Sequence, residues 1–81
     1  MEFIKLDNVE IWDNDPKYGD GNIGMDATAY INPNSIDCFF EQYPNDEKYG
    51  RLSITVGKIT YVTRNMSFPD LIDMIKKAKD Q

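Results

Sequence analysis

The chain contains no histidine. That removes the commonest general base near neutral pH and the commonest transition-metal ligand. Cysteine occurs once, as Cys38, so no internal disulfide can form. This usage fits a reducing compartment, and the expected localisation is cytoplasmic. No apolar run reaches membrane-spanning length, and no basic-then-apolar leader opens the sequence. Gly19, Gly21 and Gly24 lack the strand–loop–helix setting and the Lys-Ser/Thr ending of a phosphate loop. No internal repeat is evident. With these groups missing, the chain is not expected to be an enzyme, and no cofactor is expected.

What remains is a chain of 81 residues with an ordinary apolar fraction and 12% aromatic residues. That composition predicts one small folded domain over residues 1–81, with a stability of roughly 4–12 kcal/mol. Charge is the least uniform property. Residues 1–47 hold eleven acids against Lys5 and Lys17, a net of −9, while residues 48–81 hold seven bases against three acids, a net of +4; together these give the overall −5. Asymmetry of this kind suggests an acidic face that steers a basic partner, unless the two halves fold against each other and neutralise.

The most legible stretch is residues 52–78. Leu52, Ile54 and Val56 alternate with Ser53 and Thr55, the period of a half-buried strand. Gly57-Lys58 supplies a two-residue turn with Gly at the first central position, as type II′ requires. The return strand, residues 59–63, is β-branched or aromatic throughout. The turn sets Val56 against Ile59, Ile54 against Tyr61 and Ser53 against Val62, so that only Val62 breaks the apolar/polar division. A helix should follow, N-capped by Ser67 with Asp70 in the capping-box position and Met66 and Leu71 as its hydrophobic staple. Phe68, Leu71, Ile72, Ile75 and Ala78 form its apolar stripe. Early Asp70 and Asp73 and late Lys76, Lys77 and Lys79 suit the helix dipole.

Upstream, residues 3–12 read as a strand in which Asp7-Asn8 shifts the phase between Ile4/Leu6 and Val9/Ile11. A bend or bulge in one long strand is favoured over a short hairpin there. Trp12 falls on the side of Glu10, opposite Ile11, and is expected to be partly exposed. Residues 13–26 carry three Gly, one Pro and four Asp with no apolar period, and read as a long loop, with Ile23 and Met25 tacking down its end. Residues 27–31 form a strand, and Asn32-Pro33-Asn34-Ser35 a turn with Pro33 at its second position. Residues 36–41 form the next strand, with Ile36, Cys38 and Phe40 on one face and Asp37, Phe39 and Glu41 on the other. Cys38 is accordingly expected to be buried and inert. Residues 42–50, with Tyr43 and Tyr49, form a projecting hairpin connection. The expected class is α+β: a four- to five-stranded antiparallel meander with one C-terminal helix packed on one face.

Carboxylates are plentiful enough to ask about metals. Asp13, Asp15 and Asp20 offer hard oxygen ligands on a loop, but Lys17 stands where an EF-hand places its third ligand and Tyr18 where it places glycine. A solvated acidic loop is the better account, and no metal is assigned. Direct nucleic-acid binding is disfavoured because an acidic protein is repelled by the phosphates that supply most of that affinity.

The segments "YINPNSI" and "ITVGKITYVTRNMSFPDLIDMI" resemble, in their order of elements, the small FlbD-like proteins of flagellar operons and their short relatives in phage genomes. The resemblance covers about 60% of the chain, from Ala27 to Lys77. It implies a non-enzymatic accessory protein that works through contacts, and it supplies no catalytic residues. Residues 13–26 and 42–50 depart from that compact pattern.

The expected function is therefore a protein-binding accessory module, encoded by a phage or mobile element, acting through its acidic first half and two loops. Its candidate contact residues are Glu10, Trp12, Asp13, Asp15, Tyr18, Asp20, Asp26, Tyr43 and Tyr49, since aromatic residues amid charge are typical of interface hot spots. The expected partner is another protein, with a basic nucleic-acid-binding one as a candidate class, and neither direct nucleic-acid contact nor a membrane is expected. A sharper alternative is an acidic inhibitor, anti-CRISPR-like or a DNA mimic, filling the nucleic-acid channel of a basic effector. A further alternative is a Ca²⁺-responsive loop protein or a structural subunit of a phage particle or flagellar motor.

Overall fold

The structure, a computed structural model, describes residues 2–42 and 50–80. Five antiparallel strands form one open sheet: β1 (Ile4–Asp13), β2 (Asn22–Ile31), β3 (Cys38–Gln42), β4 (Arg51–Val56) and β5 (Ile59–Thr63). A short 3₁₀ turn (Pro33–Ser35) joins β2 to β3, and the helix α1 (Phe68–Asp80) follows β5. The strands lie in the order β2-β1-β5-β4-β3. The meander β3–β4–β5 is thus extended by the β1–β2 hairpin, which attaches through β1 against β5. The α+β class and the single C-terminal helix are as expected.

The β4–β5 hairpin has the register its turn demands, with Val56 opposite Ile59, Ile54 opposite Tyr61 and Ser53 opposite Val62. Gly57 sits at φ +61, the left-handed region that the first position of a II′ turn requires. Asp37 reinforces this turn by accepting a 2.7 Å hydrogen bond from the Gly57 N–H. Val62 and Ser53 are both buried although neighbouring Tyr61 and Ile54 point to the helix side, so this pair lies on the opposite face of the sheet.

β1 is one bent strand, as expected. Asn8 takes φ +56 and the pairing with β2 slips between Leu6 and Val9, which returns Val9 to the same buried face as Ile4 and Leu6. Asn tolerates this conformation better than most residues. β2 answers with irregularities of its own, including Asp26 at φ +51. These explain a correction. The stretch at residues 13–26 is a loop only over 14–21; Asp13 closes β1, and residues 22–26 belong to β2. Ile23 and Met25 continue the odd-numbered apolar series of residues 27–31, but the Asn, Gly and Asp between and around them carry the composition of a loop. Ile23 and Met25 do not tack anything down, being 61% and 58% exposed.

The core lies between one face of the sheet and α1. Ile4, Leu6, Val9, Leu52, Ile54 and Leu71 are all essentially inaccessible, each worth about 1.5–3 kcal/mol relative to exposure. Ser67 caps the helix through a 3.2 Å bond from the Asp70 N–H to its Oγ, and Met66 and Leu71 both reach the core. Leu71, Ile75 and Ala78 are buried, while Ile72, expected beside them, is only half-buried at the edge of the stripe.

β3 reverses the expected phase. It pairs with β4 so that Phe39 stands opposite Ile54, which fixes Phe39 on the helix side, its ring 5.9 Å from that of Phe68. Cys38 and Phe40 consequently point away and are exposed, so Cys38 is not a buried thiol. Aromatic residues at both 39 and 40 leave the local pattern without a preferred face. The partner strand decides it. The 3₁₀ turn is held as expected, with Asn32 accepting from the Ser35 N–H through its carbonyl and from the Asn34 N–H through its side chain.

Candidate functional site

The β1–β2 hairpin gathers most of the candidate residues, but in two places. At its tip, residues 14–21 fold back on the β4–β5 turn. The Asn14 N–H donates to the Lys58 carbonyl at 2.7 Å, and the Thr60 hydroxyl donates to Asn14 Oδ1 at 3.0 Å. Gly21 closes the loop: the Asp13 N–H donates to its carbonyl, its φ is +92, and a Cβ there would stand 2.5 Å from the Asp13 carbonyl oxygen. No other residue fits that position without backbone movement.

The tip surrounds a depression of about 540 Å³ bordered by Asp13, Asp15, Tyr18, Asp20, Ile23 and Lys58. Two of the three aspartates shape the loop as well as charging it. Asp13 Oδ1 accepts from the Asp15 N–H and Asp20 Oδ1 from the Asn22 N–H, the Asx-turn geometry of short polar side chains. Asp15 lies 3.6 Å from Lys58 Nζ, an exposed pair that contributes under about 1 kcal/mol. Among the described residues no group of three or more carboxylates, thiols or imidazoles is arranged to hold a metal ion. Tyr18 is 90% exposed, which makes it the most open aromatic residue at the tip.

The second place is the helix-free face of the sheet. Trp12 is half-buried there and donates from its indole nitrogen to Glu10 at 3.2 Å, confirming that the two share one side of β1. Glu10 also lies 3.9 Å from Arg64. A depression of about 190 Å³ between Glu10, Met25, Asp26, Val62 and Arg64 connects β2 to this face. Asp26 is therefore placed with Glu10 rather than with the tip aspartates. Pairing of β1 with β5 brings the basic half beside the acidic one, and two acids meet bases through it. Asp13, Asp20 and Asp26 have no ion pair among the described residues. Tyr43 and Tyr49 lie outside the described residues.

Sequence reasoning missed the exposed apolar residues of β2 and its surroundings: Ile23, Met25 and Tyr30, with Phe3 nearby in sequence to β1. The alternation through Ile23, Met25, Ala27, Ala29 and Ile31 was available as a signal of the strand, but two slips of register along β2 take the first two out of phase with buried Ala29 and Ile31. No family model, curated protein or solved structure matches the chain. No helix among the described residues is long and apolar enough to cross a membrane.

Proposed function

We propose that this chain is a non-enzymatic protein-binding accessory module whose β1–β2 hairpin meets a basic protein partner. The observation that supports this is the hairpin's surface: Tyr18 and Ile23 stand exposed beside Asp13, Asp15 and Asp20 at the tip, and Met25 stands exposed beside Asp26 further along β2. Apolar side chains within a charged rim have the anatomy of an interface, and acids complement a basic partner. A cytoplasmic setting and a phage-type or mobile-element origin belong to the same proposal, supported by cysteine usage and by the resemblance of residues 27–77. The DNA-mimic alternative is less favoured, because Lys58 and Arg64 neutralise part of the acidic surface that a mimic must present.

The test is kinetic. A partner isolated by crosslinking in the native cell is re-bound to purified variants across a range of salt. Replacing Asp13, Asp15 and Asp20 by Asn keeps the oxygen acceptors that shape the loop but removes charge. It should lower the on-rate and flatten its salt dependence, whereas Tyr18→Ala should raise the off-rate, with a cost of about 2 kcal/mol. Trp12→Ala should act in the same direction, although the half-buried indole makes Tyr18 the cleaner probe. Wild-type kinetics in both sets would refute the assignment of the hairpin.

A further inference from the structure

Resting on the protein-binding reading above, we propose that the outer edge of β2 receives an extended basic segment of the partner by strand addition. β1 occupies one side of β2, and no strand among the described residues occupies the other. Its outward backbone donors and acceptors are therefore a template for a further strand. The side chains beside that edge are unusual for an unpaired strand: Ile23, Met25 and Tyr30 are 61%, 58% and 65% exposed. An edge left bare to solvent is ordinarily short, charged, bulged or interrupted by proline, and on β2 the charge and the bulges are confined to Asp26 and the residues before it. β2 has ten residues, no proline and no base.

Charge selects the occupant. The one ionisable acid or base within β2 is Asp26, which is exposed and without an ion pair among the described residues. Asp20 lies just before the strand, and Asp7 bonds the Thr28 hydroxyl from the neighbouring strand. Lys5 stands opposite Tyr30 at the far end of β2, so an incoming lysine or arginine gains from these three acids at the Asp26 end of it. A second copy would instead bring Asp26 toward an identical acidic edge on a chain of net charge −5. The bulge at Asp26 also limits where a ladder can form. The extra residues of β2 end there, and the remaining slip, between Ala29 and Ala27, comes from the extra residue of β1 at Asn8. The β2 backbone itself is therefore uninterrupted over residues 27–31, with Met25 and Ile23 beside it for apolar contact.

The experiment is a selection of random linear peptides displayed against the purified chain, followed by amide hydrogen exchange with the enriched peptides. Enriched sequences should alternate Lys or Arg with β-branched or aromatic residues, and should slow exchange of alternate amides within residues 27–31 by about tenfold or more. Proline at the centre of such a peptide, at unchanged charge, should abolish binding, because it removes a ladder donor. Thr28→Lys should weaken binding by about tenfold while shifting thermal unfolding by no more than a few degrees, since it gives up only the exposed hydroxyl bond to Asp7. Asp26→Asn should weaken binding at the same exposed edge without altering the backbone. Peptides that protect only residues 14–21 would overturn strand addition and leave the protein-binding reading standing. Enriched peptides without basic excess, or tolerant of proline, would overturn the proposal, as would a free chain that self-associates with those β2 amides already protected. Failure to enrich any peptide would overturn strand addition, while the protein-binding reading stands or falls by the kinetics of the Asp13, Asp15, Asp20 and Tyr18 variants.

Discussion

Replacing Leu71 by Ala should be among the most damaging single truncations in this chain, and its neighbour Ile72 should be far more tolerant. Leu71 is fully buried at the junction of α1 with the sheet, while Ile72 is half-buried and lies outside the core cluster. A buried Leu→Ala change loses the transfer free energy of the side chain and leaves a cavity, together about 3 kcal/mol. Against a total stability of roughly 4–12 kcal/mol, that is a quarter or more of the whole. In urea, with a slope of about 2 kcal/mol per molar, the midpoint should fall by about 1.5 M. By heat, at about 4–8 °C per kcal/mol for a domain of this size, the fall should be about 12–24 °C. Ile72→Ala removes mostly surface that is already wetted and should cost about 1 kcal/mol. Both variants keep helix propensity high, since Ala is the best helix former, so the contrast isolates burial. Equal losses at the two positions, or a loss below about 0.5 kcal/mol at Leu71, would mean that α1 is rotated from the orientation described.

Ser67→Ala should cost about 1 kcal/mol in equilibrium unfolding by removing the acceptor of the Asp70 N–H, and Ser67→Asp should restore most of it. Cys38 should react with an aromatic disulfide reagent in the native protein at nearly the rate seen in denaturant, and Cys38→Ser should change stability by no more than about 0.5 kcal/mol. Ca²⁺ or a chelator should leave the melting temperature unchanged, because a cation held by the native tip would raise it by mass action; an upward shift would show that Asp13, Asp15 and Asp20 do converge on an ion.

The division between sequence and structure follows the range of the interactions. The β4–β5 hairpin, its II′ turn, the Ser67 cap and the turn at Asn32 were legible because each is settled within a few neighbouring residues: Gly57 permits one turn, and that turn fixes one register. The bend in β1 was legible for the same reason, as a one-residue slip in the apolar phase at Asp7-Asn8. The class of fold followed from counting such elements. In the candidate site, the aspartates and Tyr18 of the hairpin tip could be named from the chain alone, since Gly, Asp and Asn mark a loop wherever it lies.

Long-range pairing decided the rest. Residues 22–26 look like loop until β1 supplies the partner against which Asp26 becomes a bulge, and only then are Ile23 and Met25 seen to lie along an exposed edge. Phe39 and Phe40 carry no local preference of face; Ile54 across the ladder turns the first inward and leaves Cys38 outside. Whether the acidic and basic halves separate or neutralise depended on β1 pairing with β5, a contact some fifty residues apart that no periodicity encodes. A strand's side-chain alternation is set by its own backbone, but the face that becomes core and the edge that stays open are properties of its neighbours.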